Sequence, residues 1–174
     1  MMRRFFRATA GLVGLSVLAG CASNPFVVEV TDCPAVAFVR YANTVTRFAP
    51  TSEYRPQDVA YSAAFADLSV DCQDLGEGVT TAISFTVNAA KGPAATADAI
   101  TLPYFVTVLR DGERIVGKRV FTSTITFPPG QTRAAVREVI SQKIPTDSAA
   151  DEYAHEVLIG FQLSEDEAAY NVRR

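Results

Sequence analysis

The chain has 174 residues, of which 48% are hydrophobic, 20% charged and 10% aromatic, with ten Gly, nine Pro and three Cys. The apolar share excludes a disordered tail, its interruption by polar residues excludes a multi-span membrane protein, and the length fits one domain. Sixteen Lys and Arg against nineteen Asp and Glu give a formal net charge of −3, and the composition suits neither collagen nor a coiled coil.

Residues 1–7 carry Arg3, Arg4 and Arg7 and no acid, and residues 8–20 follow as thirteen uncharged Ala, Gly, Leu, Val, Ser and Thr. A permanent membrane helix needs about 20 apolar residues, whereas the core of a secretory signal needs roughly 7 to 15, so residues 1–20 are expected to be a removable export signal. The sequence Leu18-Ala19-Gly20-Cys21 resembles the lipobox of bacterial lipoproteins. The resemblance implies cleavage before Cys21, a diacylglyceryl thioether on its sulfur and acylation of the new amino group. Several acyl chains anchor a protein firmly, because each buried methylene contributes about 0.8 kcal/mol. In enteric lipoproteins an Asp after the lipidated Cys retains the protein in the inner membrane; here the residue is Ala22, which implies the outer membrane with the domain facing the periplasm. Arg3, Arg4 and Phe6 match a twin-arginine signal only in part, and the general secretory route is expected.

Residues 21–32 form a lipidated tether, of which the eleven residues 22–32 extend at most about 36–40 Å, so the folded body is expected to work close to its membrane. After cleavage thirteen Lys and Arg remain against nineteen Asp and Glu, a net charge of −6. Such a body is a poor partner for nucleic acid, which requires a basic surface. With Cys21 acylated, Cys33 and Cys72 are an even pair in an oxidising compartment, and one disulfide between them is expected. No metal is expected, since zinc takes four ligands and the chain offers two thiols and one distant histidine, His155.

From Cys33-Pro34 to residue 163 the pattern is β. Residues 36–48 and 59–72 are rich in Val, Phe, Tyr, Ala and Thr without strict alternation. Val79, Thr81, Ile83, Phe85 and Val87 alternate with Thr80, Ala82, Ser84, Thr86 and Asn88, the signature of a half-buried strand. Ile100, Leu102, Tyr104, Val106 and Val108 form another such face, and Arg110-Asp111-Gly112-Glu113 predicts a two-residue type I′ hairpin, since Asp-Gly tolerates the positive φ values it requires. The return strand spans 114–127 and ends at Pro128-Pro129-Gly130. Residues 132–140 carry Ala135, Val136, Val139 and Ile140 at helical spacing, yet follow a hairpin-type Pro-Gly; a strand is the preferred reading. Tyr153, His155, Val157, Ile159, Phe161 and Leu163 make the last strand, and the polar residues 164–174 are expected to be a flexible tail. About seven strands without a long helix predict an all-β fold, an antiparallel two-layer sandwich for which the immunoglobulin-like arrangement is one form.

Catalytic groups are scarce. His155 falls on an apolar strand face, where a hydrogen-bonded structural role is the ordinary one, and no Gly-x-Ser-x-Gly elbow is present. Asp71, Asp74 and Glu77 lack the spacing of a helix-loop-helix calcium site, and the acids at 165–167 lie in the expected tail. Gly76 and Gly78 do not make a phosphate loop. Arg133-Ala134-Ala135-Val136 shares residues with peptidoglycan-binding domains of the outer-membrane protein A type, but their upstream Gly-His-Thr-Asp signature is missing. Cys33-Pro34, the second Cys about 40 residues on, the Pro-Pro-Gly turn and Ile159-Gly160-Phe161 together resemble small proteobacterial envelope lipoproteins. That resemblance implies an address and a β-fold and no activity. The expectation is a lipid-anchored, non-enzymatic scaffold or accessory module that meets another envelope protein and uses no cofactor. The alternative is a small-ligand or inhibitor-type binding lipoprotein.

Overall fold

The computed structural model describes residues 33–50, 54–75, 78–145 and 154–174. The expected signal, Cys21 and the tether lie outside these residues. The elements are β1 (Ala35–Phe38), β2 (Thr44–Phe48), a single 3-10 turn (Pro56–Asp58), β3 (Val59–Asp74), β4 (Gly78–Lys91), β5 (Ala99–Arg110), β6 (Arg114–Thr126), β7 (Arg133–Pro145), β8 (His155–Phe161) and α1 (Glu165–Arg173). They form two four-stranded sheets, ordered β1-β8-β5-β6 and β2-β3-β4-β7. All pairings are antiparallel except β1 with β8, which is parallel. The β-sandwich expected from the sequence is present. Its likeness to immunoglobulin domains stops at the two-layer architecture, because β2, β3 and β4 are a meander in one sheet, whereas an immunoglobulin constant domain groups its first, second, fourth and fifth strands.

Eight strands stand where about seven are expected, because residues 36–48 form two. Tyr41 takes a left-handed φ of 64° and the chain crosses there from one sheet to the other. The central strands follow the alternation in the sequence. Val79, Ile83, Phe85 and Val87 of β4 and Ile100, Leu102, Tyr104, Val106 and Val108 of β5 are buried, and both strands have neighbours on each side. Phe65 joins the layers, stacked on Phe161 at 3.9 Å and edge-on to Phe85 at 5.3 Å. Full burial of a large apolar side chain contributes roughly 1.5–3 kcal/mol, so this aromatic cluster is a main source of cohesion between the sheets.

The irregular pattern of residues 59–72 has a specific cause. Ala66 faces Thr86 and Ser69 faces Ser84, so Asp67 and Leu68 together oppose Phe85 across the ladder. Asp67 has φ 53°. This bulge shifts the side-chain phase by one residue. Before it Tyr61, Ala63 and Phe65 point into the sandwich; after it Leu68, Val70 and Cys72 do.

The remaining turns follow their residues. Asp111 and Gly112 have φ 56° and 72°, as a type I′ turn requires, and the Glu113 N–H donates to the Arg110 carbonyl at 3.3 Å. The ladder closes on Arg110 opposite Arg114, one residue longer than a two-residue loop. Of residues 132–140 all but Thr132 belong to a strand, as preferred, and Val139 of the apparent helical stripe is exposed. The tail corrects the expectation of a flexible segment. Residues 165–173 form α1, whose Ser164 and Glu167 make a reciprocal capping box, the Ser164 Oγ accepting from the Glu167 N–H and the Glu167 carboxylate accepting from the Ser164 N–H. Polar composition alone suggests fraying, but the Ser-x-x-Glu spacing satisfies two of the first turn's free donors.

Candidate functional site

Of the residues singled out in the sequence, Cys33 and Cys72 come together. Their Cα atoms are 5.6 Å apart in a disulfide that ties the chain just before β1 to the end of β3, and so one sheet to the other. The separation suits such a bond. The β3 bulge is what turns Cys72 inward, beside Thr81 on β4, whose Oγ1 lies 3.7 Å from the Cys72 sulfur. Cys21, the expected lipid site, is outside the described residues.

Among the described residues the groups weighed for chemistry do not converge. His155 is buried at the start of β8, opposite Arg110. Asp71 is exposed on β3, on the face pointing away from the core, and Glu77 lies outside the described residues. Glu165, Asp166 and Glu167 open α1, where Glu167 caps the helix and pairs with Arg47 at 3.4 Å. A hydrogen bond to Asp166, followed by burial and the acid's charge, raises the phenol of Tyr54 above its ordinary value, and Arg173 opposes the shift. Among the described residues no group of three or more His, Cys, Asp or Glu is placed to hold a metal ion.

Concavities accompany these elements among the described residues. A trough of about 670 Å³ crosses the β2-β3-β4-β7 sheet. Its floor includes Thr44, Ala64, Asn88 and Ala135, which lie side by side in register and alternate with the inward residues Val45, Ala63 and Ala89. Small side chains on the outer face make the depression, and Arg133 and Arg174 border it. A cleft of about 310 Å³ separates β2 from α1, near the edge-on aromatic pairs that Phe48 makes with Tyr54 and Tyr170. Another, of about 270 Å³, opens between the sheets beside His155, Lys143 and Val116. It is at the lower bound of ordinary small-molecule sites.

The two rims of the sandwich differ. On one rim the edge strands are short, four residues in β1 and five in β2, and α1 packs on β2. On the other, β6 and β7 run for thirteen residues each and, among the described residues, are hydrogen-bonded to a neighbour strand on one side only. Their exposed side chains include Ile115, Val116, Val120 and Val139. This rim is absent from the expectations drawn from the sequence. Its signal was the run Arg114 to Val120, in which apolar and basic residues are mixed without the alternation of a strand covered on one face.

Compared with known protein families, curated proteins and solved structures, the chain matches none. Among the described residues no helix is long and apolar enough to cross a membrane.

Proposed function

We propose that the chain is a lipid-anchored cell-envelope lipoprotein, held at the periplasmic side of the outer membrane through Cys21, whose β-sandwich is an interaction module for another envelope protein and has no catalytic role. The anchor is supported by the basic start, the apolar run and Leu18-Ala19-Gly20-Cys21. The interaction role is carried by one observation, the pair of thirteen-residue edge strands that no described residue covers on one rim while the opposite rim is shortened and capped. Long uncovered edges are templates for pairing with another chain, which monomeric proteins commonly shorten or hide. Crosslinking in intact cells tests the role. A discrete product joining the chain to a second envelope protein is expected, and recovery of the monomer alone would count against it.

The trough favours a second reading, a small-ligand or inhibitor-type binding protein. Its volume lies within the usual 300–1,000 Å³ range and its floor is rich in Ala. Native mass spectrometry of the protein purified from its own cells would show a bound small molecule on this reading and the bare chain on the first.

A further inference from the structure

The uncovered rim carries a charge that the rest of the chain does not. Arg114, Lys118 and Arg119 lie on β6 and Arg133, Arg137 and Lys143 on β7, six of the thirteen basic residues that follow Cys21. The two strands hold only one of the nineteen acids, Glu138, and it points inward to the Tyr104 hydroxyl. The rim therefore bears a formal charge of +5 on a mature chain of −6.

Basic residues on an edge strand are a common device against self-pairing. Two copies of this rim brought edge to edge would place like charges together, which disfavours a homodimer. The same charges suit a strand of opposite sign. On β6, Lys118 and Val120 flank Phe105 on the outer face, the Lys118 Nζ lying 4.8 Å from the Phe105 ring centre, while Arg119 sits over Phe121 on the other side. A strand laid beside β6 would thus meet a cation on each face, with exposed Val116 and Val120 before and after that pair along β6 to receive β-branched side chains. We infer that β6 receives an extended, acidic segment of a separate polypeptide by strand addition, backbone hydrogen bonds supplying the pairing while Lys118 and Arg119 select acidic residues. This rests on the interaction-module reading and names the strand and the chemistry of its partner.

The test uses the purified full chain and a synthetic peptide of about ten residues, a usual strand length, in which Glu or Asp alternates with Val and Thr. Two controls are the same peptide with Lys in place of the acids and the acidic peptide N-methylated at alternate backbone nitrogens. The acidic peptide is expected to bind and to slow amide exchange along β6, with neither control doing so. The double variant Lys118→Glu, Arg119→Glu is expected to weaken binding by about tenfold, as when two cross-strand attractions become repulsions. Arg40→Glu, away from the rim, should leave it unchanged. Equal binding of the N-methylated peptide, failure of the acidic peptide to bind the folded chain, self-association through β6, or binding of anionic phosphatidylglycerol vesicles in place of the peptide would each overturn the inference. A photocrosslinking residue at Val120 and another at Val172 on α1, used in cells, separate it from the reading beneath it. Crosslinks from Val120 support both; crosslinks from Val172 alone sink the strand addition and leave the module; crosslinks from neither sink the module.

Discussion

The Tyr104 hydroxyl donates to the Oε2 of Glu138 at 3.3 Å, linking the middle of β5 in one sheet to the edge strand β7 of the other. Tyr104 is 1% exposed, and burial, then the negative charge of Glu138 and the hydrogen bond to it, raise the phenol well above its ordinary value. In the unfolded chain this phenol ionises near pH 10. Above that pH the folded state holds the proton longer than the unfolded one, so the stability this group contributes is complete below about pH 10 and declines as the pH rises. Tyr104→Phe should therefore flatten the loss of stability above about pH 10, while removal of the hydrogen bond lowers stability by about 1 kcal/mol at neutral pH. Urea unfolding across this range measures both. An unchanged alkaline slope would show that the phenol titrates normally.

The disulfide gives a larger effect. Cys33 and Cys72 are 39 residues apart, and closing a loop of that size restricts the unfolded chain by about 4 kcal/mol in the chain-entropy model. Reductant or Cys72→Ser should lower the unfolding midpoint accordingly, and reductant should have no further effect on the variant. Thiol labelling of the oxidised, denatured protein should find neither cysteine reactive.

Asp67 is the extra residue that lets both halves of β3 face the core. Its deletion would set Ala66 and Leu68 in consecutive register opposite Thr86 and Phe85 and leave Phe65, Leu68, Val70 and Cys72 inward on an unbroken period of two. The deletion variant should therefore keep the disulfide, as should Asp67→Gly, which accepts the φ of 53°, whereas one residue inserted between Ser69 and Val70 should turn Val70 and Cys72 outward and expose two reactive thiols. Reactive thiols in the deletion variant would overturn this account of the bulge.

The same bulge marks a limit of what the residues reveal by pattern. Alternation identified β4, β5 and β8, because the inward face of each packs into the core between the two sheets. It could not identify the phase of β3, where an extra residue breaks the period, nor the split of residues 36–48, which depends on one left-handed residue, Tyr41. The uncovered rim escaped for another reason. An edge is a property of strand order, and neither the meander β2-β3-β4 nor the parallel pairing of β1 with β8 has a local signature. Pairing of Cys33 with Cys72, by contrast, was readable from the count of cysteines alone once Cys21 was set aside.

Ser123 lies inward on β6, opposite Leu102, fully buried, and its Oγ has no hydrogen-bond partner among the described residues. An unsatisfied buried hydroxyl is destabilising by roughly 1–3 kcal/mol, and Ala fills nearly the same volume. Ser123→Ala should raise the stability by about 1 kcal/mol in chemical denaturation. A loss of that size would instead reveal a partner for the hydroxyl.

Asn171 is the buried residue of α1, and its Nδ2 donates to the carbonyls of Tyr41 at 2.7 Å and Thr44 at 2.8 Å. A helix of nine residues is too short to persist in water by itself, so its order depends on what holds it to β2. The contacts that hold it include these two hydrogen bonds, the partly exposed ion pair between Arg47 and Glu167, the hydrogen bond between Tyr54 and Asp166, and the edge-on packing of Phe48 against Tyr170. Exposed ion pairs contribute little, and partly buried carbonyls left without a donor cost more, so Asn171 should dominate. Asn171→Ala is expected to lower stability by about 2 kcal/mol and to bring the α1 amides to rapid exchange while β4 and β5 stay protected. Ser164→Ala, which removes only the cap, should cost about 1 kcal/mol. If the α1 amides stayed protected in Asn171→Ala, the aromatic contact with Phe48 would have to be the stronger clasp, and Tyr170→Ala should then release the helix instead.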